Sequence, residues 1–514
     1  MKITIKHILV LSAFLVQSFS VNASVNSCPA VYKKTGLDMP FNPAFTSIDH
    51  FGNGFGLSVT SFFNKDIRVP GDFYERDLVA RITNPDLIFD NSFDATNDLE
   101  ILTDIGVAPQ NAKTVWPNGA KKAPDGLVPF EALIVPQGFL RTPSPGRLSL
   151  INLSDPLRTE YIIHQSGLNG SFPMFYHEVV VFDVDQDGYK DIVSARSSFN
   201  VILGTPPFGE LVWFKNPGSA LNANVAWEEH LLVGGPTFGF KGPDLALKIF
   251  DFEGDGVPEI VATHFFTGDS QANGKISIYG APVGVTWASV NPMTMPVRSA
   301  TINGDQGLPF DIQLVDLNRD GRIDILATNH QPDACRPFPT LPGRVYAMEM
   351  PQSGKIFEDA WPLHILLDNI RPQPSLPGTQ GLGRLAPGKA TAFFKRPIEE
   401  NNPEIKPNII VGGDEAGKVW LLSPTKNDWV YESDVIFDIN QYYGAGTTQM
   451  VNDAGVTVST IGTVSVSYND DYSNANIYIP VFEGKEIVVY TLQQRSKQYR
   501  TDCIKDTLLA CPAP

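Results

Sequence analysis

Three stretches of this chain repeat one arrangement of oxygen-bearing side chains. They read Asp183-x-Asp185-x-Asp187-Gly188-x-x-Asp191, Asp251-x-Glu253-x-Asp255-Gly256-x-x-Glu259 and Asp316-x-Asn318-x-Asp320-Gly321-x-x-Asp324. A hard cation such as Ca²⁺ takes about six to eight oxygen ligands. Spacing by two lets the side chains of one tight loop converge on it, and the fixed glycine permits the turn that returns the fourth acid. An EF-hand starts in the same way but needs Glu at its twelfth position and flanking helices. Here the twelfth positions are Ser194, Ala262 and Ala327, inside strand-like runs such as Ile192-Val193, so an EF-hand is excluded. Crowding several carboxylates into one turn without a cation is costly. The spacing therefore predicts about three structural Ca²⁺ sites, one per loop.

Each loop joins an apolar segment to a β-branched one. His177–Arg196, Leu245–His264 and Phe310–Asn329 align without gaps. A second marker follows: Gly209-ELVWFKNP, Gly274-KISIYGAP and Gly343-RVYAMEMP are glycines opening an alternating strand. The same marker occurs at Gly146, Gly417 and Gly484, so the six glycines lie 63 to 74 residues apart. A fourth strand follows in Trp227-EEHLLV, Trp361-PLHILL and Trp429-VYESDVIF. A unit of four strands at this period is the signature of a β-propeller blade. Six blades run from about Pro129 onward, and residues 45–128 have room for one more, with Phe55-GLSVTSFF and Asp77-LVARI as strands. The expected fold is all-β, a single seven-bladed β-propeller, with six and eight blades as the alternatives. Trp213, Trp227, Trp287, Trp361, Trp420 and Trp429 sit mostly in repeat strands and are read as packing between blades.

These loops and strands resemble the FG-GAP/VCBS repeats of integrin α-subunit propellers and of many secreted microbial and fungal proteins. The resemblance covers about residues 130–490 and is strongest over 177–351, and Phe238-Gly239-Phe240-Lys241-Gly242-Pro243 faintly echoes the naming motif. It implies Ca²⁺ in the loop between the first two strands of a blade. Other units depart from the pattern: the first keeps only Asp125-Gly126, the fifth has Lys395-RPIEENNPEIKP and the sixth has Tyr468-NDDYSNAN. No Ca²⁺ ligands are assigned there. The resemblance also brings an enzymatic alternative, since some family members carry lyase or dehydratase-isomerase chemistry on carbohydrates.

In a propeller the loops after the second and fourth strands share the face opposite the acidic loops. Binding residues gather on loops held by a rigid scaffold. The second strands end at Gln137, Arg196, His264, Asn329 and Gly413, with His330 and Asp414 beside them. The loops between blades add His164, His177, Lys241 and Asp244. The candidate ligand site is thus Gln137, Arg196, Lys241, Asp244, His264, Asn329, His330 and Asp414. Within it His264, His330 or His177 could act as a general base near neutral pH, with Arg196 as a further catalytic candidate. The competing reading has such strand-end groups satisfying loop backbone. No nucleophile elbow, P-loop or zinc-protease motif occurs.

The rest of the sequence bounds the context. The 514 residues carry 39 Lys+Arg against 56 Asp+Glu, a net charge of −17. An acidic chain without a basic patch argues against nucleic acid, which needs clustered cations. With 42% hydrophobic residues, 43 Gly and 41 Pro, disorder, collagen and a long coiled coil are excluded. Lys2 and Lys6, the apolar run Ile8–Phe19 and Val21-Asn22-Ala23 read as a signal peptide over residues 1–23, leaving a propeller domain over 24–514. No later apolar run is long enough for a transmembrane helix. The expected location is extracellular, or periplasmic in a bacterium. There Cys28, Cys335, Cys503 and Cys511 suggest disulfides in one of three pairings, two of which, through Cys28–Cys503 or Cys28–Cys511, would tie the two ends of the domain. Asn152-Leu-Ser and Asn169-Gly-Ser are glycosylation sequons in a eukaryotic source. Together these readings describe a secreted, calcium-stabilised recognition module for a glycan or protein. The alternative is a lyase, dehydratase or isomerase on a carbohydrate or other small metabolite.

Overall fold

The computed structural model describes residues 31–51, 54–61, 77–88, 93–103, 116–138, 146–167, 173–200, 205–223, 225–235, 240–267, 274–303, 306–332, 341–373, 385–443, 460–468 and 474–492. The signal-peptide reading, the four cysteines and Asn169 lie outside the described residues. Within them no helix is long and apolar enough to cross a membrane.

The strands form seven four-stranded antiparallel sheets, the seven-bladed propeller expected from the repeat. Blade 1 is Pro43–Phe51, Gly54–Ser61, Val79–Ile82 and Leu99–Ile101, and blade 2 is Lys121–Lys122, Ala132–Pro136, Arg147–Asn152 and Glu160–Gln165. Blade 3 is Phe175–Phe182, Asp191–Asn200, Thr205–Lys215 and Glu228–Val233, and blade 4 is Leu247–Phe250, Glu259–His264, Lys275–Gly280 and Arg298–Asn303. Blade 5 is Pro309–Val315, Asp324–Asn329, Gly343–Met348 and Leu363–Ile370, and blade 6 is Ala390–Phe393, Asn408–Gly412, Lys418–Pro424 and Tyr431–Asp438. Blade 7 takes Ser465–Tyr468, Ala475–Val481 and Glu486–Leu492 from the end of the chain. Its outer strand is Val31–Asp38 from the beginning, paired antiparallel from Val31 opposite Leu492 to Asp38 opposite Glu486. Backbone hydrogen bonds between distant parts of the chain thus close the ring.

Burial explains the stacking. Seven apolar clusters each span one pair of neighbouring blades. Between blades 3 and 4, for example, Val193, Leu211 and Trp213 meet Leu247, Ile260 and Tyr279. Trp213, Trp227, Trp287, Trp361 and Trp420 are buried, as the packing reading predicts. Trp429 stacks on His364 at 4.1 Å.

The marker glycine has a steric cause. A Cβ on Gly146 would lie 2.2 Å from the carbonyl oxygen of Met174, and one on Gly209 would lie 2.5 Å from that of Gly242. The strand entering the next blade passes too close for any side chain.

Candidate functional site

The three acidic loops share one hydrogen-bond pattern. In each, the first Asp caps the turn. Asp183 accepts from the Asp187 and Gly188 amides at 3.1 and 2.9 Å, and Asp251 from Asp255 and Gly256 at 3.1 and 2.8 Å. Asp316 accepts from Asp320 and Gly321 at 3.1 and 2.9 Å. The glycines have left-handed φ of +91°, +84° and +86°, which a side chain would resist.

The ninth-position acid also braces backbone. Asp191, Glu259 and Asp324 are buried at the start of the second strand and face backbone. Asp191 accepts from Val184 and Asn216, Glu259 from Phe252, and Asp324 from Leu317 and Met350, at 2.7 to 3.1 Å. Burial raises these carboxyls, Asp191 to about 6 and Glu259 and Asp324 to about 7, and neighbouring loop acids add to the rise.

The remaining acids of the blade 3 loop meet. Asp183, Asp185 and Asp187 bring their oxygens within 4.8 Å of one another, which suits Ca²⁺, and they form the one such group among the described residues. The Lys215 ammonium lies against Asp185 and Asp187, 2.8 Å from the latter. In blade 4 Arg298 engages both oxygens of Glu253. In blade 5 Arg322 engages Asp320, and Asn318 donates to Asp320 at 3.0 Å. Each loop therefore has its own basic neighbour.

On the opposite face the predicted residues do not converge on one site. Arg196 is clamped between Glu210 and Glu229, with four hydrogen bonds of 2.8 to 3.0 Å. Glu229 also holds His164 at 3.0 Å, and His164 holds the Tyr176 hydroxyl at 2.6 Å. Burial works against the charge of Glu229, yet these partners bring it down to about 2. Gln137 is buried beside Ser149, Glu160 and Arg147. Asn329 donates to the Gln306 and Pro342 carbonyls and accepts from the Arg344 amide. Asp244 accepts from three successive amides, Phe265, Phe266 and Thr267, at 2.6 to 2.8 Å, and burial pushes it up to about 7. His330 holds the Pro387 carbonyl at 2.8 Å, stacks on Phe310 at 4.5 Å and has Asp414 at 3.7 Å. Its burial lowers it to about 4. His177 is buried edge-on to Phe45 and Phe310 and held well below its ordinary value by that burial. Asn152 of the first sequon is largely buried, and its Oδ1 accepts from the Ser154 amide.

His264 and Lys241 alone of the predicted set line a cleft of about 400 Å³ between blades 3 and 4. The His264 Nε2 lies 2.8 Å from the Tyr279 hydroxyl. Burial lowers His264 to about 3, so it stays neutral.

The sequence reading missed a second polar cluster, on the first strands of successive blades. Lys121 of blade 2, Glu178 of blade 3, Lys248 of blade 4, Asp311 of blade 5 and Lys389 of blade 6 alternate in sign around the channel. Lys121 and Lys248 both contact Glu178, the former at 2.9 Å, and Lys389 reaches Asp311 at 3.4 Å. Burial opposes the charge of Glu178, but the three lysines hold it well below its ordinary range. The gapless alignment already placed Glu178 and Asp311 at one position; their lysine partners come from other blades and other registers.

No family model matches the chain, and no curated protein matches it. Among solved structures it is similar to the C-terminal domain of Pseudomonas aeruginosa PilY1, at 11% identity and a TM-score of 0.34, covering 87% of this chain and 82% of that one. It is also similar to Kuenenia stuttgartiensis hydrazine synthase, at 13% identity and a TM-score of 0.42, covering 88% and 96%. Likeness at this level carries nothing about activity.

Proposed function

We propose that the chain is a secreted recognition module of the FG-GAP/VCBS type, its ring stiffened by Ca²⁺, that displays a binding surface for a glycan or protein. The engagement of the opposite face carries this reading. Two of the groups suited to acid–base chemistry are buried and already held, His330 by Pro387 and Arg196 by two glutamates, and His264, bonded to Tyr279 at the edge of a cleft, has no acidic partner among the cleft-lining residues. A general base needs access to the proton it takes, whereas a recognition scaffold needs a rigid frame. Ca²⁺ is supported by the convergence of Asp183, Asp185 and Asp187 within one turn. When bound, the ion would neutralise these three carboxylates and fix the turn.

The test is a screen of the purified mature protein with Ca²⁺, using immobilised glycans and small metabolites. Binding and substrate mass are read together. Binding without turnover supports the module, and turnover lost in His264→Ala or His330→Ala would establish the enzyme instead.

A further inference from the structure

At the boundary between blades 3 and 4 a polar stripe runs along the face of blade 4 that looks onto blade 3. His264, Lys275, Ser277 and Tyr279 lie on it, with Ser299 and Thr301 on the outer strand opposite. The Ser277 position explains the opening. Ser277 pairs with Ala262, and the residues in the same register are Ser149 in blade 2, Val212 in blade 3, Tyr346 in blade 5 and Trp420 in blade 6. Larger side chains stand at this position in blades 3, 5 and 6, and in blade 2 the buried Gln137 amide caps the serine.

We propose that this cleft binds a small polyhydroxylated carboxylate, of the chemical class of a sugar acid. The inference deepens the recognition reading above and rests on it. A cavity of about 400 Å³ falls in the range of small-ligand sites and suits one or two sugar rings. Its chemistry is graded. The buried part holds a neutral imidazole joined to the Tyr279 hydroxyl, with Ser277 on the same face of the strand. These groups can exchange hydrogen bonds with sugar hydroxyls while the protein keeps their orientation fixed. The opposing wall is apolar: Leu232, Val233, Phe240 and Val297 offer a surface for the C–H face of a pyranose ring. Lys241 and Lys275 are more exposed than these groups, Lys275 directly across from His264, and no acidic side chain lines the cleft among the described residues. In a chain of net charge −17 this is a local positive field, and it selects an anion. The carboxylate is assigned to the lysines and the hydroxyls to the buried part. None of the acidic residues of the blade 4 loop lines the cleft.

The experiment is calorimetric titration of the full mature chain with D-glucuronate and with D-glucose, at low and at 0.5 M salt. Glucuronate is expected to bind at least tenfold more tightly than glucose, and more weakly in high salt as screening predicts. The double variant Lys241→Gln/Lys275→Gln should lose at least tenfold in glucuronate affinity. Ser299→Trp, an exposed substitution, should block the cleft at an unchanged melting temperature. Equal affinity for the two sugars, or glucuronate binding untouched by both variants, overturns the assignment. So does the absence of glucuronate binding. If Ser299→Trp still captures whatever ligand the glycan and metabolite screen yields, the recognition reading survives and the cleft assignment alone falls. Turnover in that screen removes the reading itself.

Discussion

The two ends of the second strands in blades 3, 4 and 5 are built by different rules. At the acidic-loop end the residue types repeat and so do their hydrogen bonds: a first-position Asp caps the turn, and a ninth-position acid accepts from buried backbone amides. At the other end Arg196, His264 and Asn329 occupy one aligned position and do three unrelated things. Arg196 is an ion-pair hub, His264 lines a cleft, and Asn329 braces loop backbone. Repetition marks a demand of the backbone that every blade shares. Divergence marks positions free to serve one interface each.

The strongest way to test that contrast is at Arg196. Arg196→Met should destabilise by about 3–5 kcal/mol, because the buried Glu210 would lose its counter-ion and the half-buried Glu229 would keep only His164. A cost below about 1 kcal/mol in urea unfolding would mean that the clamp is ornamental and the arginine is available for ligand. Asp324→Ala comes next, at about 2–4 kcal/mol, since two buried amides lose their acceptor. Asp191→Ala should match it within error if the loops are truly equivalent.

Calcium removal sharpens the comparison further. If the loops bind the ion at a hundred times its dissociation constant, each bound site contributes about 2.7 kcal/mol. EDTA should therefore lower the melting temperature of the wild type, and lower it less in Asp183→Asn/Asp187→Asn. An unchanged melt would remove Ca²⁺ from the account.

The pH response tests the opposite face. His264 and His330 are held near 3 and 4 by burial, against about 6.5 in an unfolded chain. The unfolded state thus binds more protons between those values, so this stability is fully present above about pH 6.5 and is lost as pH falls. From pH 7.5 to 5 each imidazole should account for about 1–2 kcal/mol. His264→Asn and His330→Gln should flatten the slope measured by urea unfolding. A slope unchanged in both would show that these rings are not held neutral. The smallest effect is expected at Lys215, which is part-exposed beside Asp185 and Asp187. Lys215→Met should change Ca²⁺-free stability by less than about 1 kcal/mol. It should tighten Ca²⁺ binding by the blade 3 loop alone, since a competing cation is gone. Weaker binding in that variant would make the lysine a supporting residue instead.

The contrast also explains which residues could be read in advance. The loop glycines and capping acids were legible because each answers a local problem, a left-handed turn or an unpaired amide within nine residues. The strand-end side chains were located correctly, but their partners were not. Arg196 meets Glu229 across 33 residues and His330 meets Pro387 across 57. The lysines of the channel ring were invisible for the same reason. Lys121 and Lys248 lie 57 and 70 residues from Glu178, and each looks like an ordinary surface charge in its own strand.

The sequence by itself determined the blade. Alternating apolar strands, turn glycines and marker glycines specify a four-stranded sheet that must bury both faces on neighbours, and their number left the ring at six to eight blades, with seven expected. Tertiary structure decided how the ring shuts and what its faces expose. The closing strand Val31–Asp38 pairs with a partner more than 400 residues away, and no local pattern encodes such a pairing. Whether a polar side chain at a strand end is a ligand group or a brace depends on which atoms the next blade brings within hydrogen-bond distance. That is a property of the closed ring and of no single repeat.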